Sequence, residues 1–138
     1  MSLRAVAGIS AGSIVGGANG QLFGVQSLTE LTTIANAATT DTTIVMPAAS
    51  IILGVSVYVQ TIIPTATTFT QGDSGSAARF NTAAVAVAAG SSDPGTKAGA
   101  YYNPTALAVR ITPNGTPNAA TGRVRVTIYY ISVTPPTS

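Results

Sequence analysis

Apolar and polar residues alternate along most of this chain, and the period is two, the spacing of a β-strand with one covered face. The clearest run is Ile51 to Gln60. Ile51, Leu53, Val55, Val57 and Val59 are expected to point inward, and Ile52, Gly54, Ser56, Tyr58 and Gln60 outward. A second long run, Gly122 to Val133, sets Val124, Val126, Ile128 and Tyr130 against Arg123, Arg125, Thr127 and Tyr129. Thr105 to Ile111 repeats the pattern, with Leu107, Val109 and Ile111 inward and Ala106, Ala108 and Arg110 outward. Shorter strands are expected at Thr42 to Met46, at Thr67 to Thr70, and in the small-residue stretch Ala83 to Ala89. Lys97 to Tyr102 has the composition of a further pairing segment.

Ser27 to Ala35 admits two readings. Ser27-Leu28-Thr29-Glu30 has capping-box spacing, which starts helices. Thr32, Thr33 and Ile34 follow at once, and β-branched side chains favour a strand. Turn chemistry separates the runs: N-A-A-T-T-D at 36–41, Pro47 to Ser50, Pro64, G-D-S-G-S at 72–76, S-S-D-P-G at 91–95, Asn103-Pro104 and P-N-G-T-P-N at 113–118. About eight short strands with no amphipathic helix predict an all-β antiparallel β-sandwich, jelly-roll-like, with the two long strands central and the Ala-rich segment near an edge.

The ends differ from this body. Residues 1–26 are glycine-rich and carry Arg4 as their only charge. They also hold Leu3, Val6, Ile9, Ile14, Val15, Leu22, Phe23 and Val25, apolar anchors that a plain linker lacks. We read 1–26 as an extended N-terminal arm that orders on a partner or a neighbouring subunit, 27–134 as the sandwich domain, and 135–138 as a tail. Gly8, Ser10, Gly12 and Ser13 break the arm's apolar run, so it does not read as a secretory signal. No stretch has the ~18–20 consecutive apolar residues of a membrane-spanning helix.

Composition narrows the chemistry. The chain has 138 residues, no Cys and no His, so thiolate ligands, disulfides and the usual general base are missing. Charged residues are 7% of the total, against about 25% in ordinary domains. So sparse a charge suits a surface largely covered by other protein. The net charge of +2 comes with no basic run. Arg123 and Arg125 sit on one face of one strand, the pattern of an ordinary polar face rather than a nucleic-acid site.

Gly72-Asp73-Ser74-Gly75-Ser76 resembles the G-D-S-G-G signature around the nucleophile of trypsin-like proteases. Without His no base activates Ser74, and nothing in the spacing recruits Lys97 instead, so the segment reads as a turn whose Asp caps backbone amides. The four acids, Glu30, Asp41, Asp73 and Asp93, are dispersed, with no paired carboxylates for glycoside hydrolysis and no converging oxygens for calcium. Asn114-Gly115-Thr116 has the form of a glycosylation sequon, but Pro117 follows and the segment reads as a turn. No catalytic residue, cofactor or metal is expected. Tyr58 and Tyr129 stand opposite the apolar stripes, where tyrosine either covers an outer sheet face, marks an interface or stacks on a sugar.

Residues 38–64, A-T-T-D-T-T-I-V-M-P-A-A-S-I-I-L-G-V-S-V-Y-V-Q-T-I-I-P, are followed at 67–80 by T-T-F-T-Q-G-D-S-G-S-A-A-R-F, and the chain closes on G-R-V-R-V-T-I-Y-Y-I at 122–131. Together they resemble a small β-sandwich domain of tailed-bacteriophage virion proteins. In that family a strand of the type I-P-A-x-x-x-x-L-G-V-x-V-x-V precedes a Phe, a G-D turn and an R-F pair. The resemblance covers about residues 28 to 133. It implies that Asp73, Arg79 and Phe80 form a structural corner, with Phe80 in the core and Arg79 near a loop acid. This chain lacks the second acid that the family more often carries before R-F.

Such domains occur in head-decoration, or cement, proteins and in tail fibres or spikes. Neither a long shaft nor an attachment module is visible, so the leading expectation is a capsid decoration protein on the outer surface of the virion. It would bind the major capsid protein, assemble as a homotrimer, and use Leu22, Phe23, Tyr58 and Tyr129 as interface residues. The alternative is a tail-fibre module binding a host-surface glycan through loops around Asp93, Asn103 and Asn114. Neither nucleic acid nor a membrane is an expected partner.

Overall fold

The computed structural model describes residues 13–15 and 22–132, with side chains from Gly24 onward. The described residues form ten strands: β1 (Ser13–Val15), β2 (Leu22–Thr33), β3 (Thr40–Met46), β4 (Ser50–Thr61), β5 (Thr68–Gly72), β6 (Val85–Ala86), β7 (Ser92–Asp93), β8 (Tyr101–Asn103), β9 (Leu107–Pro113) and β10 (Arg123–Ser132). They form two antiparallel sheets of a β-sandwich. One runs β1-β2-β10-β4, with β7 and β8 sharing the far edge of β4; the other runs β3-β9-β5-β6. Ser27 to Ala35 is therefore strand over most of its length, as its β-branched residues favour. The expected boundary at 26/27 falls inside β2, where Val25 and Gln26 already pair with Ile131 and Tyr130 of β10. The rest of the expected arm, 1–12 and 16–21, and the tail 135–138 lie outside the described residues.

The core is the apolar stripe of each sheet. β4 gives Ile52, Val55, Val57 and Val59; β10 gives Val124, Val126 and Ile128; Phe69, Val109, Ile111 and Met46 close it from the second sheet. Burying each such side chain stabilises the fold by about 1.5–3 kcal/mol before the cost of ordering the chain. β10 and β4 lie side by side inside their sheet, and the Ala-bearing β6 is an edge.

The sequence phase fails at one place. Ile51 and Leu53 were expected inward; instead Ile52 is fully buried and its two neighbours are only half-buried. Tyr130 pairs with Ile52 but Tyr129 pairs with Gly54, so Leu53 is an extra residue in the ladder. A bulge of this kind reverses the pleat. It leaves Leu53 on the outer face beside Gly54.

A second irregularity joins the sheets. Between Asp41 and Val45 the β3–β9 ladder loses register. Glu30 of β2 accepts hydrogen bonds there from the N–H groups of Thr43 (2.9 Å) and Ile44 (2.8 Å), and from the hydroxyls of Thr43 (2.8 Å) and Thr32 (2.9 Å). Burial pushes the Glu30 carboxyl up, but these bonds together hold it below its ordinary range.

Candidate functional site

The two longest strands hold up a broad outer surface, the solvent side of the β2-β10-β4 layer. Its residues stand in rows across the strands, fixed by the ladder registers. Leu31, Arg125 and Tyr58 form one row; Thr29, Thr127 and Ser56 the next; then Ser27, Tyr129 and Gly54; then Val25, Ile131 and Ile51. Thr29 and Thr127 share a hydroxyl hydrogen bond of 3.0 Å. That polar row divides the face into two ends.

One end is an open apolar groove of about 420 Å³, lined by Val25, Leu53, Gly54, Pro94, Thr96 and Tyr129, with Ser56 at its side. The bulge supplies Leu53 to it. The 94–96 loop supplies its wall and is locked there by glycine. Gly95 has φ +70°, and a Cβ added to it would stand 1.7 Å from the Val55 carbonyl oxygen. The N–H of Gly95 donates to Asp93 Oδ1 at 2.6 Å, and its carbonyl accepts from Val55 N at 3.1 Å. Gly54 lies beneath this loop; a Cβ there would meet the Gly95 oxygen at 3.2 Å.

The other end carries Arg123 and Arg125 with Leu31 and Tyr58. Tyr58 is 48% exposed, Tyr129 42% and Val25 47%. Both expected tyrosines thus lie on this surface. Leu22 and Phe23 begin β2 and pair with β1, and their side chains lie outside the described residues.

Asp73, Arg79 and Phe80 converge at the far end of β5. Asp73 is buried and accepts from Gly75 N (2.8 Å), Ser76 N (2.9 Å), Arg79 Nε and Arg79 Nη2 (3.2 Å). Phe80 is in the core, and the Arg79 guanidinium lies 4.4 Å from the Tyr101 ring centroid. Burial raises the Asp73 carboxyl, but the Arg79 hydrogen bond, its charge and the two backbone donors hold it below the usual range; Arg79 is raised in turn. Ser74 is an exposed turn residue in this corner.

The loop residues of the glycan alternative are differently placed. Asn103 is fully buried and donates to the carbonyls of Met46 (3.0 Å) and Pro47 (2.8 Å). Asn114 is exposed, but its side chain ties the Thr67–Thr68 turn through bonds of 2.9, 3.3 and 2.8 Å. Asp93 holds Gly95 and the buried Gln71. Among the described residues no three of His, Cys, Asp or Glu gather as a metal site requires, and no helix is long and apolar enough to cross a membrane.

The groove was missed in the sequence because Leu53 reads as core until the bulge is known. Glu30 was missed because most of its donors, on Thr43 and Ile44, come from the other sheet. The residues at 72–76 signalled a turn with a capping Asp, and the family resemblance, not the spacing, implied the corner with Arg79 and Phe80.

No known protein-family model and no curated protein matches the sequence. Among solved structures the chain is similar to one from the cyanophage Pam1 capsid asymmetric unit. The two share 24% identity at a TM-score of 0.50, over 91% of this chain and 89% of that one. The likeness spans nearly all of both chains, and it is a likeness of fold.

Proposed function

We propose that this protein is a structural component of a tailed-phage virion, a decoration protein bound on the outer surface of the head over junctions between major capsid proteins. The observation that carries this reading is the near full-length fold likeness to a chain of a phage capsid asymmetric unit. The sequence resemblance to phage virion domains points the same way. The strand order supports a jelly-roll description: β2 to β5 alternate between the sheets, and the last strand, β10, lies beside β2.

The outer face of the β2-β10-β4 layer is the docking surface in this proposal. It combines an apolar groove with exposed Tyr and Arg, the residue types enriched at protein interfaces. Single contacts of this size are weak, and assembly as a trimer around local three-fold positions multiplies them. The charge-poor sequence suits a molecule covered on several sides.

The competing reading is a tail-fibre module that binds host glycan. Purified protein is added to heads lacking it and to host cell envelopes, and bound protein is measured by sedimentation. Saturable binding to heads at a fixed copy number per shell is the expected result. Binding to envelopes with none to heads would overturn the decoration reading.

A further inference from the structure

Among the described residues the arginine end of the docking face has no counter-ion. Arg125 stands in register between Leu31 and Tyr58, and Arg123 follows two residues along the same face of β10, about 7 Å away. Both are exposed, and among the described residues neither forms an ion pair. The whole sequence holds only four acids. Each is already engaged. Glu30 accepts from the N–H groups of Thr43 and Ile44. Asp41 accepts from Arg110 Nε and Nη2, at 2.7 and 2.8 Å. Asp73 takes Arg79. Asp93 caps Gly95 and receives Gln71.

Asp41 is the one exposed acid of the four, and Arg110 already neutralises it, so a second copy of this chain offers Arg123 and Arg125 no free side-chain carboxylate. Arg125 is flanked by Leu31, 38% exposed, and Tyr58, 48% exposed, while Arg123 stands between Thr33 and Thr61. Two arginines beside an exposed Leu and Tyr suit a protein surface better than a polyphosphate, which is held by many cationic contacts.

We infer that the Leu31–Arg125–Tyr58 row, with Arg123, is a docking site for an acidic surface on a different protein chain, with carboxylates spaced to meet two arginines about 7 Å apart. The site lies on the face assigned under the proposed function and rests on that reading for the partner's identity. Its chemistry stands without it. The arginines give the contact its charge selectivity, and the groove gives it apolar area.

Two measurements separate this inference from the proposed function. The first titrates the isotope-labelled full chain with poly-L-glutamate, followed by NMR. Shifts confined to Arg123, Arg125, Leu31 and Tyr58, lost in R123Q/R125Q, are expected; scattered shifts, or shifts unchanged in that variant, would overturn the acidic site. A DNA oligonucleotide of equal charge that displaces poly-L-glutamate at lower concentration would overturn the partner class.

The second compares wild type with R123Q/R125Q on heads lacking the protein, at low and high salt. Binding weakened about tenfold or more by the substitution, with a shallower salt dependence, is expected. Wild-type and variant proteins that bind equally would overturn the inference and leave the decoration reading intact. Binding of poly-L-glutamate with no binding to heads would do the reverse.

Discussion

The two sheets of this protein close on one interior and turn different exteriors to their surroundings. The β3-β9-β5 exterior is threonine-rich, with Thr43, Thr68 and Thr70 and the small Ala108, and its opposite charges meet as the Asp41–Arg110 pair. The β2-β10-β4 exterior carries Tyr58, Tyr129, Val25 and Leu31, an apolar groove, and two arginines without a partner among the described residues. The first exterior exposes one large apolar residue, Val45, and pairs its charges; the second is the face that the proposed function sets against a partner. Both faces lie over the same core, so the difference between them is what the proposed interface accounts for.

The largest expected effect comes from removing the wall of the groove. Gly95→Ala puts a methyl group against the Val55 carbonyl at a positive φ, so urea denaturation should show a loss of roughly 3 kcal/mol or more. A loss below about 1 kcal/mol would mean that the 94–96 loop is not fixed as described.

Asp73→Ala follows, at roughly 2–4 kcal/mol, because it strands Arg79 and two backbone donors. Arg79→Ala should lower the melting temperature by less, and an unchanged melting temperature would refute the corner. The same group gives a pH dependence. Asp73, Glu30 and Asp41 all have folded-state pKa values below their ordinary ones, the last through its hydrogen bond from Arg110. The unfolded chain therefore binds more protons as pH falls. The stability these groups contribute is fully present above about pH 4–5 and is lost as pH falls through their lowered folded values. A melting temperature that does not fall on acidification would contradict this, and Asp73→Ala should make the fall shallower.

Tyr129→Ala sharpens the contrast between the faces. Its ring lines the groove and is 42% exposed, so stability should change by no more than about 1 kcal/mol, while binding to heads weakens about tenfold or more. Thr70→Ala, on the opposite exterior, should leave head binding unchanged. Equal effects from the two would erase the distinction. The smallest effect belongs to Arg110→Gln. The Asp41–Arg110 pair is exposed and screened by water, more so at high salt, so stability should barely change and head binding should not respond.

Much of this arrangement was legible in the residues. β10 keeps one phase from Val124 to Tyr130, so its buried and exposed faces follow directly from the sequence. The turn at Asp73 is local, and its chemistry is written in adjacent residues. β4 was misphased over Ile51–Leu53 because a bulge is set by the partner strand, here the match of Tyr129 to Gly54 and Tyr130 to Ile52. Glu30 and Asn103 serve main-chain groups distant in sequence, in a bulge of β3 and at its end, so no local pattern announces them. The isolation of Arg123 and Arg125 became visible only once every acid had been placed.

The most direct test is a cryo-electron microscopy reconstruction of the intact phage particle. The account predicts density for this protein on the icosahedral shell, with the β2-β10-β4 exterior against a capsid protein and Arg123 and Arg125 facing carboxylates. Density at the tail, or on the shell with that exterior turned to solvent, would contradict it.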